Sequence, residues 1–365
     1  MLQTIIRLAF MSRQTSAAAA GKAAAKSAVA RRSAARSASL QTAGDGASLQ
    51  LSPAVPLTVS QAARVLLKQE LKLLQRQLSK CMNRWRKKPD HLHQVRISAR
   101  RLQQQLVLFG PLLGKDRSAG WLRKRLKELL QASSRARDLD VLLHQSSAKE
   151  TPATIIRRWQ QQRRRLQKPL QRLHHRMTGE DALTQHRRAL QKAIRQASSR
   201  GRQKTLANAQ AAGWAVDQTI VRLTELQTAI PASSSPKALH RFRLLVKQHR
   251  YQAELLLQLS GNPVTDRLVN CLLQVQKQLG RLQDSVVAAR SLKKAERQQK
   301  KSSRNAAAEA DRVRKAKIDA ECTRLLTWLQ DKVGAQLQTL SRRLHKSHKQ
   351  TTTQIQSKQK PGKRE

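Results

Sequence analysis

The segment LHRFRLLVKQHRY, Leu239 to Tyr251, carries four side chains whose types and spacing suit phosphate. His240, Arg243, Lys247 and Arg250 stand at i, i+3, i+7 and i+10. At about 100° per residue they fall within one narrow arc of a helix. Guanidinium groups make bidentate, charge-assisted hydrogen bonds to phosphate oxygens, and Lys brings a compact positive charge. A His beside a bound anion is driven toward its charged form, in which both ring nitrogens donate. The other face is read as apolar and packed, through Leu239, Leu244, Leu245 and Val246.

The row occurs twice. In PDHLHQVRISARRLQQQLVLF, Pro89 to Phe109, His93, Arg96 and Arg100 repeat the first three offsets, with Arg101 beside them. A proline stands four residues before each His, at Pro89 and Pro236, where a first helical position tolerates its missing N–H. Ser235 is a candidate N-cap. Downstream, SSRARDLDVLL holds Arg135 and Asp138, and GRLQDSVVAAR holds Arg281 and Asp284. From His to Asp is 45 residues in the first copy and 44 in the second. Recurrence of the whole set in register is read as an internal duplication with a period near 147 residues. Asp138 and Asp284 are read as partners that orient Arg135, Arg281 or the adjacent row, with i, i+3 surface pairing as the alternative. Lys124, Lys127 and Lys277 are weaker ligand candidates on neighbouring helices. Arg163, Arg164, Arg165, Arg187 and Arg188 lack duplicate partners and are read as general electrostatic surface.

Composition narrows the ligand. The 365 residues include 73 Lys+Arg against 22 Asp+Glu, a formal net charge of +51. Such an excess repels itself unless anions are present, so a polyanion partner is expected: DNA, RNA, inorganic polyphosphate or an anionic membrane surface. Three Phe, one Tyr and five Trp leave few rings for stacking bases, which single-stranded nucleic-acid readers need. Duplex-backbone binding needs none, so a nucleoid-type nucleic-acid binder is the alternative reading. Cys81, Cys271 and Cys322 form neither a disulfide framework nor a metal-ligand spacing, which points to a reducing, cytoplasmic compartment. No window approaches the ~18 apolar residues of a membrane span. There is no Gly-rich P-loop, and the acids stand singly apart from Glu180-Asp181 and Asp138/Asp140. Phosphoryl chemistry needs metal ions or a base beside the phosphate. The expectation is therefore a protein that is not an enzyme, with no catalytic residues, no cofactor and no metal.

Helices must carry the rows. Residues 1–56 include AAAAGKAAAKSAVARRSAARSASL, too poor in apolar surface to fold alone. They are read as a disordered Ala/Lys/Arg-rich basic tail, with a cleaved transit peptide as the alternative. Helical spacing of Val65, Leu66, Leu71, Leu74 and Leu78 runs from about Val59 to before Pro89. Further helices are predicted over about 90–110, 118–133, 137–147, 153–178, 183–198, 204–229, 236–260, 264–280, 283–299 and 304–345, separated by Gly, Pro and Ser. The class is all-α. Residues 341–365 are read as a second disordered basic tail.

Taken together, His93, Arg96, Arg100 and Arg101 with Arg135 and Asp138, then His240, Arg243, Lys247, Arg250 and Tyr251 with Arg281 and Asp284, resemble the CHAD domain, the conserved histidine α-helical domain. The phrase VKQHRYQAELL resembles its second half closely. The resemblance covers about residues 57–340, with repeat 1 about 57–200 and repeat 2 about 204–340. It implies two helical bundles related by pseudo-twofold symmetry around a basic pore or groove. It further implies binding of inorganic polyphosphate, often at polyphosphate granules. The implied ligand set is His93, Arg96, Arg100, Arg101, Lys127, Arg135, His240, Arg243, Lys247, Arg250, Tyr251, Lys277 and Arg281. Two departures imply unequal halves: Gln103 stands where the second copy has Arg250, and Gln248 where the first has Arg101. The Glu-x-Glu-x-Lys signature of a triphosphate-tunnel domain, which some proteins of this kind carry, is absent from the sequence.

Overall fold

Leucines at helical spacing and side-chain caps lay out the helices of the computed structural model, which describes residues 57–85, 90–145, 153–199, 203–296 and 304–359. The described residues are helical, with one isolated β-bridge and no strand. The helices are α1 Val59–Arg84, α2 Asp90–Leu108, α3 Gly110–Leu113, α4 Arg117–Ala132, α5 Ser134–Gln145, α6 Ala153–Arg165 and α7 Gln167–Thr178. There follow α8 Ala182–Ser199, α9 Lys204–Asn208, α10 Ala211–Thr228, α11 Pro236–Ser260, α12 Pro263–Glu296, α13 Arg304–Trp328 and α14 Gly334–Gln359. Thr58 begins α1 with a capping box, accepting from the Gln61 N–H while the Gln61 side chain accepts from its own N–H. Ser235 caps α11 as expected, accepting from the Ala238 N–H ahead of Pro236. Gly261 closes α11 at φ 59, a left-handed position that suits glycine. Pro89 and residues 1–56 lie outside the described residues.

Two hydrophobic cores result. The first gathers buried leucines of α1, α2, α4, α7 and α8. The second gathers apolar side chains of α10 to α14. Helix α11 belongs to both: Phe242 and Val246 pack in the second core, while Leu255 and Leu256 pack in the first. Gln252, fully buried on α11, donates to Gln104 of α2 at 2.9 Å and ties the two units at their junction. The helices that bear the two basic rows are thereby pressed together.

Several elements differ from the periodicity reading, each for a local reason. The expected helix over 204–229 breaks at Ala209-Gln210 because the entering chain takes its hydrogen bonds. Val59 N–H donates to the Ala209 carbonyl, and Ala211 N–H donates to that of Leu57. The expected helix over 153–178 is interrupted at Leu166, where Pro169 removes the next backbone donor. The two helices read over 264–280 and 283–299 are one, because Gly280 is tolerated inside a helix that packing holds. Leu244, read as packed, is 51% exposed. The helix read over 304–345 is divided by a π-helical turn at Leu329–Val333, and its second part does not stop at 345: Leu344 is fully buried beside Leu337 and Leu340, and α14 continues to Gln359 through most of the segment read as a tail. Residues 360–365 lie outside the described residues. No helix among the described residues is long and apolar enough to cross a membrane.

Arg163 is not surface charge. It is 2% exposed, donates from Nε to Asp140 Oδ1 at 2.6 Å and from Nη1 to Gln167 Oε1, and lies over the Trp85 ring. Its helix puts it inward, and burial demands the partner. Asp140→Ala strands that guanidinium in the core. The expected loss is ~3–5 kcal/mol of folding stability, read by urea denaturation, whereas Arg164→Ala, at an exposed position, changes it by no more than about 0.5 kcal/mol.

Candidate polyanion site

The site forms where α2 packs against α11. Its centre is Lys247, half-buried on α11. Burial brings the Lys247 ammonium down to about 7, and Arg100, Arg243, Arg96 and Arg250 push the same way. Arg96 and Arg100 belong to one row, Arg243 and Arg250 to the other. Remote sequence positions therefore meet in one cluster of five cations.

Each member is held differently. Arg96 donates from Nη1 to the Leu130 carbonyl at 2.7 Å and to Ser133 Oγ at 2.6 Å, so it covers the carbonyl end of α4. Burial draws its guanidinium down to about 10; Arg100 and Arg137 add to the shift, while Asp138 and Tyr251 oppose it. Arg250 donates from Nε to Gln276 Oε1 at 2.9 Å, pairs with Glu254, and lies 4.3 Å over the Tyr251 ring. Arg243 is half-buried, and its Nε is buried without a hydrogen-bond partner. A stranded donor of that kind costs free energy unless a ligand or water meets it.

The two histidines take comparable places beside the rows. His240 Nδ1 lies 2.6 Å from Gln283 Oε1 of α12, satisfied when the ring N–H donates to the amide oxygen. His93 is exposed at its edge, and desolvation of the rest of the ring still holds it below its ordinary value. Arg137, Arg100 and Arg96 push it the same way against Asp90. Arg137 itself lies 3.6 Å from Asp90.

The residues singled out by spacing and resemblance lie in different surroundings. Arg96, Arg100, Arg243, Lys247 and Arg250 converge, and His93 joins through Arg96 and Arg100. Asp138 acts on Arg96 across the helix junction, in keeping with an orienting part. Arg101 turns away: it acts on the buried Glu70 of α1, since one residue after Arg100 points about 100° round the helix. Tyr251 is buried beneath Arg250 and serves as a floor. Lys127, Arg135, Lys277, Arg281 and Asp284 are exposed and stand outside these interactions. Three residues had been missed: Arg137, Gln276 and Gln283. Arg137 and Gln283 follow Arg135 and Arg281 by two positions in each copy, the one signal that could have found them. Cys81, Cys271 and Cys322 are all buried free thiols, with burial pushing each up to about 11.

An open cleft of about 330 Å³ lies between α12 and α14, lined by Arg267, Asn270, Gln274, Gln336 and Arg343 among others. It uses the face of α12 opposite to Gln276 and holds none of the row residues.

The sequence model of one family, the CHAD domain, matches residues 69–293. The solved CHAD domain from the plant Ricinus communis is 22% identical, with a TM-score of 0.46, covering 80% of this chain and 92% of that chain. PptA from Streptomyces chartreusis is 20% identical, with a TM-score of 0.41, covering 76% of this chain and 98% of that chain. No curated protein matches.

Arg96 and Arg243 hold the same place in the two rows but different bonds, so truncation separates them. Arg96→Ala removes two charge-assisted bonds and leaves the Leu130 carbonyl and Ser133 Oγ bonded only to each other, at an expected cost of ~1–3 kcal/mol. Arg243→Ala removes a like charge and an unpaired donor, and urea denaturation should find stability unchanged or raised. Lys247 gives a pH signature. Its folded value of about 7 lies below its ordinary 10.5, so the unfolded chain binds more protons between those values. Stability from this residue therefore grows as pH rises from about 7 toward 10.5 and is lost as pH falls back. Melting curves of wild type and Lys247→Met should converge toward the alkaline end and separate toward pH 7, with the variant the more stable there.

Proposed function

The chain belongs to the CHAD domain family, and from that premise we propose that it binds inorganic polyphosphate without altering it chemically. One observation carries the proposal: Lys247 stands among four arginines drawn from two helices, and the charges that act on it most strongly are all positive. A cluster of that sign awaits an anion, and five cations along two rows suit a chain with about one charge per phosphate. A row spans roughly 10 Å at 1.5 Å rise per residue, enough for a few successive phosphates. The ring nearest the cluster, Tyr251, is buried under Arg250 and leaves no stacking platform for a base. That favours a ligand made of phosphates alone over a single-stranded nucleic acid.

The rest of the proposal concerns arrangement. The two row-bearing units, about 57–200 and 204–340, form pseudo-twofold halves that flank a basic groove. The segment 1–56 adds non-specific affinity, and the protein works in the cytoplasm at polyphosphate granules. The two halves bind unequally, because Arg243 offers an unmet donor where Arg96 is committed to α4. Binding alone is proposed because the carboxylates closest in effect, Asp138 and Glu254, are each engaged with an arginine. A phosphate-release assay with magnesium, run on the full chain, should stay at background.

The test is a titration of long-chain polyphosphate against the full chain at two salt concentrations. Arg100→Ala with Arg243→Ala should weaken binding by at least about tenfold, the scale of losing charged hydrogen bonds. The control pair, Arg164→Ala with Arg165→Ala, removes the same charge from exposed positions and should lower only the salt slope. Equal losses from both pairs would mean diffuse attraction and no site. In competition, polyphosphate should displace duplex DNA at equal phosphate concentration; the reverse outcome would favour the nucleic-acid reading.

A further inference from the structure

The cluster at the α2–α11 junction has one member able to lose its charge near neutrality. Arginines stay protonated across the physiological range. Lys247 is different in kind: a buried ammonium readily gives up its proton. The charged groups that act on it are Arg96 and Arg100 from α2 and Arg243 and Arg250 from its own helix. On α12, Gln276 and Gln283 are uncharged and bonded to Arg250 and His240, while Lys277 and Arg281 point to solvent. Of the carboxylates, Glu254 pairs with Arg250, Asp138 acts on Arg96, and Asp284 of α12 is exposed. On the far side of α11, Glu225 faces His249 and Arg222. Among the described residues, the charges that act most strongly on Lys247 are thus cations from both helices, and the carboxylates nearby act on its arginine neighbours.

We propose that Lys247 makes phosphate binding at this cluster proton-linked: a bound polyphosphate chain supplies the missing anion, and Lys247 takes up a proton as the chain settles. The inference rests on the polyphosphate reading above and adds its regulation. The balance is simple. Free protein at alkaline pH holds a neutral amine at Lys247, whose lone pair accepts one proton from solvent or buffer when phosphate oxygens arrive. No bond to phosphorus forms or breaks. The grip tightens as the medium acidifies and loosens as it turns alkaline. The internal phosphates of a long chain stay ionised throughout, so the ligand adds little pH dependence of its own.

Burial among these cations brings free Lys247 down to about 7. At pH 7 about half the molecules carry the charge, and two pH units higher about one in a hundred does. Binding of long-chain polyphosphate to the full chain is to be measured by calorimetry at pH 7, 8 and 9 and fixed ionic strength. Two buffers of unlike ionisation enthalpy count the protons. The expected result is a fall in affinity of about tenfold or more from pH 7 to pH 9, with close to one proton taken up per site at pH 8 to 9. Lys247→Arg, which keeps a charge that does not titrate there, should flatten the profile and abolish the uptake. Lys247→Met should also be flat, at lower affinity.

The outcomes separate cleanly. Wild-type binding that is tight and independent of pH overturns the linkage and leaves the polyphosphate reading standing. Proton uptake that persists in Lys247→Arg assigns it to another group, such as His93, and also overturns the proposal. If polyphosphate fails to bind at every pH, the functional reading falls and the linkage falls with it. Should Lys247→Arg not fold, the two-buffer proton count on wild type still decides, since a count near zero at pH 8 to 9 means that no proton is taken up on binding and overturns the linkage.

Discussion

Like charges held together at a helix crossing are the constraint on which this molecule depends. Arg96, Arg100, Arg243, Lys247 and Arg250 meet at one junction, and their mutual repulsion opposes the packing of α2 on α11. At surface dielectric, such pairs repel by on the order of a few kcal/mol at close range. What offsets it is apolar burial on either side. Fully buried leucines contribute about 1.5–3 kcal/mol each, and α11 inserts side chains into both cores. The Gln252–Gln104 bond fixes the junction with an uncharged link. The rigid frame comes first, and the cationic cluster is the strain it can bear.

That strain is shared unevenly between the rows. Arg96 does structural work, since its guanidinium satisfies the carbonyl end of α4. Arg243, at the matching place, is left with a buried, unmet Nε. His93 lies near a cation, Arg137, whereas His240 is bonded to an amide, Gln283. The same sequence pattern therefore yields one arm that is locked in place by the fold and one whose donors are open.

The sequence made the rows legible because helix periodicity is a local property, and offsets of three and seven place side chains on one face regardless of context. The all-α class and the Ser235 cap followed from the same local logic. What periodicity lacks is the partner. That Arg96 and Arg100 would face Lys247 depends on how α2 meets α11, which no local pattern contains. Arg101 enters the row by adjacency and by resemblance, although one residue is about 100° of turn, and it acts on Glu70. Arg163 sits in a run of three arginines that reads as surface, yet only its angle on α6 decides that it is buried on Asp140. The break at Ala209-Gln210 was invisible for a similar reason: it is made by Leu57 and Val59, some 150 residues earlier.

Glutamine is the counterpart of this charge. Gln276 accepts from Arg250, which also pairs with Glu254, and Gln283 pairs with His240, so α12 meets the row through uncharged amides. Gln103 occupies the first-row position that matches Arg250, and Gln248 the second-row position that matches Arg101. Lys247, brought down to about 7, is the member of the cluster that loses its charge as pH rises through neutrality. Amides orient the guanidinium and imidazole groups at no electrostatic cost. Net charge of +51 can be spread over an exposed surface without tuning. At the junction of α2 and α11 it cannot, and there the number of cations, their amide partners and the one ionisable amine are set by the same balance between repulsion and packing.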